Sequence, residues 1–271
     1  MAATLHRLRS WLGAALVAAT LPMACVSVAE AAPTPPTTDG EVGAQIVGGT
    51  RASTSTYPFV VYLATSSGFQ YCGGTLVAPN KVVTAAHCTV GDSASAVRVV
   101  AGRDDKNSTA GTVARVTRIW IHPSYTDVTR GYDVSVLTLD RNLSQTPIAF
   151  ATSADSALYA AGTSSTILGW GTTSSGGSAS RYLLKATVPL TSSSTCSSAY
   201  GSDFNATHMV CAGYAQGGTD TCQGDSGGPL VAGGKLIGIT SWGEGCAAAG
   251  YPGVYSRVST YATQIQQQIS S

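Results

Sequence analysis

Short runs rich in Val, Ile, Leu, Thr and Tyr recur along the chain between residues 59 and 257, and Gly, Ser and Asn separate them. Each run is as long as a β-strand, and these residue types favour strands. The runs predict strands at 59–64, 74–78, 81–84, 97–101, 114–122, 134–139, 165–169, 183–189, 235–241 and 253–257. Many short strands divided by turns at this spacing predict a sandwich or a barrel, so the predicted fold class is all-β.

The C-terminal segment has a different pattern. Apolar residues recur there every three or four positions, with Gln and Ser between them, at Val258, Tyr261, Ala262, Ile265 and Ile269. This spacing predicts an amphipathic helix that packs on the body of the protein. The chain from residue 46 to residue 271 is long enough for two β-halves, and we expect them to join near residues 151–161.

The first 45 residues are predicted to lie outside this fold. Residues 1–32 combine basic residues, a short apolar run and the small-residue sequence Ala29-Glu30-Ala31, which is typical of a secretory signal peptide. A membrane anchor is the alternative, but the apolar run is short and no later segment is apolar enough to span a bilayer. Residues 33–45 are rich in Pro and Thr and predict a pro-segment. We therefore expect a secreted, extracellular protein.

The predicted folded part is close to neutral, because residues 46–271 carry 13 basic and 11 acidic side chains. Proteins that bind nucleic acids or anionic membranes usually carry a clustered excess of positive charge. The charge balance therefore predicts neither a nucleic acid nor a membrane as a partner.

Six cysteines lie within the predicted folded part, namely Cys72, Cys88, Cys196, Cys211, Cys222 and Cys246. An even number of cysteines in a secreted chain predicts disulfide bonds, and six cysteines allow fifteen pairings. The chain has no Cys-x-x-Cys pair and no cluster of histidines, which a zinc site would need. We therefore expect three disulfides and no metal.

The sequence Gly224-Asp225-Ser226-Gly227-Gly228 is a candidate for a nucleophile on a tight turn. The alternative is a glycine-rich hairpin loop. A serine hydroxyl needs a base, usually histidine, and that base needs an orienting carboxylate. No histidine follows Ser226, which excludes the order Ser, Asp, His of the α/β-hydrolases. No acidic residue lies between Ile46 and His87, so the subtilisin order Asp, His, Ser also fails for that histidine. The order His, Asp, Ser fits best.

Two residues fit the first positions of that order. His87 ends an apolar strand and precedes Cys88, so its ring would be held rigidly. His122 and His208 lie in more polar, loop-like sequence and are interpreted as surface or turn residues. Asp133 heads a strand of apolar and β-branched residues, so it is predicted to be buried and to need a partner, which the imidazole would supply. The alternative for Asp133 is a capping or turn role.

Six motifs occur along the chain in a fixed order. They are Ile46-Val47-Gly48-Gly49, Thr84-Ala85-Ala86-His87-Cys88, Tyr132-Asp133-Val134, Gly169-Trp170-Gly171, Gly224-Asp225-Ser226-Gly227-Gly228-Pro229 and Ser241-Trp242-Gly243. In these motifs the chain resembles the serine proteases of the chymotrypsin fold, and the trypsin group in particular. The resemblance implies two six-stranded antiparallel β-barrels, at 46–155 and 156–271, with a C-terminal α-helix.

The same resemblance implies roles for site residues. Ser226 would be the nucleophile, His87 the base and Asp133 the orienting carboxylate, and the N–H groups of Gly224 and Ser226 would form the oxyanion hole. The family pairing would join Cys72 to Cys88, Cys196 to Cys211 and Cys222 to Cys246. A catalytically inactive homologue that serves as a binding module is the alternative function.

The resemblance also implies a substrate pocket that accepts Arg or Lys. Asp220 would lie at its floor, and the other substrate-binding residues would be Ser241, Trp242, Gly243 and Gly253. A desolvated carboxylate in a narrow slot selects a cation, because a neutral side chain would leave the charge unpaired. The alternative for Asp220 is a solvated turn residue.

Activation by a cut is a further implication. A cut before Ile46 would free an α-amino group that pairs with Asp225. The preceding Gln45 is neutral, which implies a separate activating protease. The alternative is that Ile46 only begins a strand and Asp225 only caps a turn.

Substrates and inhibitors are implied as well. The expected partners are protein or peptide substrates, protein protease inhibitors and the activating protease, with the enzyme itself a monomer. No cofactor is expected. Arg103 stands where calcium-binding relatives tend to carry a glutamate, so no calcium site is expected in the loop at 102–113.

Overall fold

The computed structural model describes residues 46–271, so the predicted signal peptide and pro-segment lie outside the described residues. The described strands are β1 (Thr50–Arg51), β2 (Val60–Thr65), β3 (Gln70–Ala78), β4 (Lys81–Thr84), β5 (Val97–Ala101), β6 (Thr112–Ile121), β7 (Ser135–Leu139), β8 (Ala149–Phe150), β9 (Ser164–Gly169), β10 (Leu184–Pro189), β11 (Met209–Ala212), β12 (Pro229–Ala232), β13 (Lys235–Trp242) and β14 (Gly253–Arg257). The α-helices are α1 (Ser193–Tyr200) and α2 (Val258–Ile269). The predicted all-β fold with a C-terminal helix is confirmed.

The first half of the described chain forms a closed barrel. Its six strands follow the order β2-β3-β4-β7-β6-β5, and every neighbouring pair is antiparallel. Buried Val and Leu side chains fill the interior, including Leu63, Leu76 and Leu137, which are completely excluded from solvent. Burial of each such side chain contributes about 1.5–3 kcal/mol, which makes the barrel a rigid support for residues at its rim.

The second half forms an eight-stranded sheet in the order β1-β10-β9-β12-β13-β14-β11, with β8 beside β13. An isolated bridge between Leu190 and Ala212 brings β11 back to the end of β10. Six of these strands, β9 to β14, come from the second half of the chain, which is the number that the resemblance implied. The two additional strands have two residues each, and both come from the first half of the sequence, because β1 pairs with β10 and β8 runs parallel to β13.

Helix α2 packs on the body of the protein, as its spacing predicted. Val258, Tyr261 and Ile265 are buried in the hydrophobic cluster that the first barrel shares with β13. The Tyr261 hydroxyl accepts a hydrogen bond of 2.8 Å from the backbone N–H of Tyr132. Tyr132 has a left-handed backbone (φ 61°) and directly precedes Asp133, so the helix holds the chain where it turns into β7.

His122 begins a turn, because its carbonyl accepts from the Tyr125 N–H at 2.9 Å, but its interpretation as a surface residue is wrong. Its side chain is buried, and its ring lies 4.9 Å from the ring of Tyr132 and 5.6 Å from that of Tyr261. Burial lowers the pKa of His122, because the charged form loses its hydration. Tyr132 follows ten residues later and Tyr261 comes from the C-terminal helix, and a local polarity pattern cannot reveal either contact.

Three disulfides join Cys72 to Cys88, Cys196 to Cys211 and Cys222 to Cys246. These are the pairs that the family resemblance implied. The first ties β3 to the turn that carries His87, and the third ties the segment before Ser226 to the loop after β13. Among residues 46–271, no helix has both the length and the apolar character needed to cross a membrane.

Candidate active site

The pairing of β4 with β7 brings His87 and Asp133 together. Thr84 at the end of β4 lies opposite Ser135 at the start of β7. The chain continues beyond Thr84 into a short 3-10 turn, Ala86–Cys88, while Asp133 lies two residues before Ser135. In an antiparallel pair, residues beyond one strand's end face residues before the other strand's start. The histidine and the aspartate therefore meet at one rim of the barrel.

Asp133 holds His87 through two hydrogen bonds. Its Oδ2 lies 2.8 Å from His87 Nδ1, and its Oδ1 accepts from the His87 backbone N–H at 2.9 Å. Asp133 is completely buried, whereas the His87 side chain is 25% exposed. A carboxylate can only accept, so Nδ1 carries the proton and Nε2 is free to take one. This arrangement suits a general base.

Two hydroxyl groups of the second sheet also donate hydrogen bonds to Asp133. The Ser241 hydroxyl donates to Asp133 Oδ2 at 2.5 Å, and the Ser256 hydroxyl donates to the Asp133 backbone carbonyl at 2.8 Å. Sequence reasoning assigned Ser241 to substrate binding and missed this contact with the carboxylate. These two hydrogen bonds hold Asp133 against the second sheet.

Ser226 is placed by backbone contacts on both sides. The Ser226 carbonyl accepts from the Gly73 N–H at 2.7 Å, and the Gly227 N–H donates to the Thr240 carbonyl at 2.8 Å. Gly227 has φ +79°, and a Cβ there would overlap the Thr84 hydroxyl. The serine loop therefore packs closely against the end of β4, the strand that leads to His87.

Two N–H groups in the segment 224–228 have no acceptor among the described residues. The N–H groups of Asp225, Gly227 and Gly228 donate to backbone carbonyls, whereas those of Gly224 and Ser226 donate to no group in residues 46–271. Buried N–H groups are nearly always paired, and Gly224 and Ser226 are half-buried. Two unpaired donors beside a candidate nucleophile can bind an oxyanion that develops on a substrate.

A cavity of about 200 Å³ opens beside Ser226. The residues predicted to bind substrate all line it, namely Asp220, Ser241, Trp242, Gly243 and Gly253. Asp220 is only 6% exposed, and burial raises the pKa of its carboxyl to about 6. It accepts from the N–H groups of Thr221 at 2.8 Å and Ala247 at 3.3 Å. A Cβ at Gly253 would overlap the Asp220 carboxylate, so only glycine leaves this acid open to the cavity.

Asp225, next to Ser226, is completely buried, and its burial raises its pKa to about 7. Its carboxylate accepts from the N–H groups of Gly171 at 2.7 Å and Cys222 at 3.0 Å. Ile46 is also completely buried, and the carbonyl of the next residue, Val47, accepts from the Asp220 N–H at 3.2 Å. The segment that begins at Ile46 thus packs against the wall of this cavity.

Sequence reasoning missed two polar residues near this loop. Gln70 donates from Nε2 to the Gly224 carbonyl at 2.8 Å, and Lys106 donates from Nζ to Gln70 Oε1 at 2.9 Å. Neither residue belongs to a short motif. The only signal that could have identified Gln70 is a polar side chain at a position where the first barrel is buried.

The described chain is similar in sequence to a known protein family and to several known proteins. The family model described as Trypsin matches residues 46–265. A trypsin of Saccharopolyspora erythraea is 55% identical over 226 residues, which are 83% of this chain and 99% of that protein. A trypsin of Xenopus laevis is 37% identical over 84% of this chain and 92% of that protein. Trypsin eta of Drosophila melanogaster is 39% identical over 84% of this chain and 89% of that protein.

Proposed function

Because the chain belongs to the trypsin family of serine endopeptidases, we propose that it is a secreted enzyme that cuts peptide bonds after Arg or Lys. The observation that carries the specificity is the nearly buried carboxylate of Asp220 in the cavity that Ser226 also lines. A guanidinium or ammonium group entering that cavity would pair with a charge that is otherwise poorly solvated.

The proposed chemistry assigns one task to each group. Ser226 Oγ attacks the carbonyl carbon of the peptide bond, while His87 Nε2 takes the hydroxyl proton. Asp133 stabilises the resulting imidazolium, and the N–H groups of Gly224 and Ser226 stabilise the oxyanion. His87 then returns the proton to the leaving amine, which departs and leaves an acyl-enzyme. Water, activated by His87, hydrolyses the ester and restores the Ser226 hydroxyl.

Exchange of Asp220 for Ser tests the pocket. Loss of one partner of a buried charge pair costs about 2–5 kcal/mol, so kcat/KM for an arginine peptide amide should fall roughly 30- to 4,000-fold. For the same peptide amide with phenylalanine in place of arginine, kcat/KM should fall far less, because a phenylalanine side chain does not pair with the carboxylate. Asp203→Ser removes an exposed acid and serves as the control. Unchanged preference for arginine in Asp220→Ser would overturn the pocket assignment.

The raised pKa of Asp220 predicts a pH dependence of cation binding. The carboxylate is charged above its pKa of about 6, so the dissociation constant of benzamidine should be constant at neutral pH and rise as the pH falls through 6. Well below the pKa the rise should be about tenfold per pH unit, as expected for one linked proton. Calorimetric titration from pH 5 to pH 8 measures it. The weak binding to Asp220→Ser should not vary with pH in this way, and a shared pH profile would contradict the prediction.

The predicted processing and organisation complete the proposal. We propose a signal peptide at 1–32, a pro-segment at 33–45 and a protease domain at 46–271 whose halves meet near residue 155. Three disulfides support export, since such bonds persist in oxidising compartments. The proposed partners beyond protein substrates are protein inhibitors and an activating protease, and the proposed state is a monomer.

A further inference from the structure

A chain of side-chain hydrogen bonds leads from Lys106 to the loop that carries Ser226. Lys106 lies in the loop between β5 and β6, and its Nζ donates to Gln70 Oε1 at 2.9 Å and to the Trp170 carbonyl at 3.4 Å. Gln70 then donates from Nε2 to the Gly224 carbonyl at 2.8 Å. An ammonium only donates and a carbonyl only accepts, so these two partners fix the orientation of the Gln70 amide.

Both side chains are withdrawn from water. Gln70 is 9% exposed and Lys106 is half-buried. Burial lowers the pKa of Lys106, and the nearby Asp225 carboxylate partly opposes this effect. A lysine is seldom withdrawn from solvent unless its ammonium has partners. Withdrawal of the Lys106 ammonium from water therefore costs free energy, and its hydrogen bonds to Gln70 and Trp170 offset this cost.

The contact with the Gly224 carbonyl influences the orientation of the Gly224 backbone, whose N–H belongs to the proposed oxyanion hole. Gly224 has φ +91° and no side chain that could restrict its conformation. Its backbone is therefore held by hydrogen bonds to other residues. The peptide group that joins it to Asp225 is held at both edges, because the Asp225 N–H donates to the Cys222 carbonyl at 3.0 Å and Gln70 holds the carbonyl. The Gly224 N–H belongs to the preceding peptide, whose Gln223 carbonyl accepts from the Thr172 N–H at 2.7 Å. The direction of the Gly224 N–H therefore depends on contacts on both sides of Gly224, and Gln70 supplies the contact on the Asp225 side.

We propose that Lys106, acting through Gln70, is a positioning residue that holds the Gly224 N–H in the direction needed to bind the oxyanion. This inference rests on the proposed function, which assigns that N–H to the oxyanion hole. Lys106 touches no reacting atom. It fixes the Gln70 amide, and the amide fixes the loop.

A matched pair of variants separates positioning from simple support of the 102–111 loop. Arg103 lies in the same loop and donates from Nε to the Ala110 carbonyl at 2.7 Å, with a second contact from its guanidinium to the Tyr62 hydroxyl at 3.4 Å. It does not touch Gln70. Arg103→Met therefore removes a cation and loop contacts, whereas Lys106→Met removes the contact that leads to Gly224.

The experiment compares two inhibitors on the activated enzyme. A peptide aldehyde with a terminal arginine forms a tetrahedral adduct that needs the oxyanion hole, whereas benzamidine occupies only the pocket. Lys106→Met should weaken aldehyde inhibition and lower kcat by about tenfold, less than the ~10²–10³-fold loss when an oxyanion donor is removed. Its KM and benzamidine binding should match the parent enzyme, and Arg103→Met should match the parent in all four. Equal losses in both variants, or an unchanged kcat in Lys106→Met, would overturn the inference.

A second variant keeps the test decisive if Lys106→Met does not fold. Gln70→Glu retains an acceptor for Lys106 but presents an oxygen, not a donor, to the Gly224 carbonyl. It should lower kcat and aldehyde binding with benzamidine binding unchanged, and wild-type kcat in this variant would contradict the inference. Failure of the proposed function is distinguishable, because the parent enzyme itself would then resist the arginine aldehyde.

Discussion

Replacement of Asp133 by Asn is expected to lower kcat about 10⁴-fold, the loss known for this change in proteases with the same triad, with little change in KM. The physical reason is the hydrogen bond of 2.8 Å between Asp133 Oδ2 and His87 Nδ1. An amide N–H at that position would favour the tautomer with the proton on Nε2, which cannot accept the proton of Ser226. Steady-state kinetics on an arginine peptide amide measure both constants.

The control for this prediction is Asp203→Asn, which neutralises an exposed acid and should leave kcat unchanged. Ser226→Ala should lose at least as much activity as Asp133→Asn, because it removes the proposed nucleophile. A loss of less than about tenfold in Asp133→Asn would show that another group orients His87, since a factor of ten corresponds to only about 1.4 kcal/mol.

The uncut precursor is expected to be inactive and unable to activate itself. A cut between Gln45 and Ile46 frees an amino group, and we propose that it pairs with the buried carboxylate of Asp225. That carboxylate already accepts two backbone N–H groups, and burial raises its pKa to about 7, so an adjacent cation would favour its charged form. Loss of a buried ion pair costs about 3–5 kcal/mol, so Asp225→Asn should lower activity after cutting roughly 10²- to 10⁴-fold.

Residue 45 offers a sharp test of the self-activation claim. Gln45 is neutral, and a pocket that ends in Asp220 should accept it poorly, so purified precursor should stay intact until an unrelated protease cuts it. Gln45→Arg should convert itself, and the double variant with Ser226→Ala should not. N-terminal sequencing over time distinguishes these cases. Rapid conversion of the unmodified precursor at the Gln45–Ile46 bond, or full activity before any cut, would contradict the prediction.

Local patterns predicted the longer strands but missed several short elements. Strand β12 begins with Pro229 after two glycines, a local sequence that predicts a turn. In the structure, β12 pairs with β9 and β13, which supply its hydrogen bonds. Helix α1 consists mostly of Ser, Thr and Ala, with Cys196 as its buried residue, so it has no apolar stripe. Strand β1 has two residues and pairs with Lys185 and Leu184, a contact too distant in sequence for any local pattern.

The candidate site shows the same limit. The residue types and the order of His87, Asp133 and Ser226 could be selected by elimination, because the chain has four histidines and nucleophilic catalysis requires a base. The contacts of Ser241 with Asp133 and of Gln70 with Gly224 span 108 and 154 residues. Such contacts depend on how the two β-halves pack, and that packing leaves no periodic trace in the sequence.

One acylation experiment tests the nucleophile and the pocket together. The ester 4-nitrophenyl 4-guanidinobenzoate carries a guanidinium group and forms a slowly hydrolysed acyl-enzyme with a serine nucleophile. The account predicts a burst of one equivalent of nitrophenol from the activated enzyme, a mass increase on the peptide that contains Ser226, and a much slower burst in Asp220→Ser. Cleavage of arginine peptides by an enzyme whose Ser226 stays unlabelled, or a label on any other residue, would contradict it.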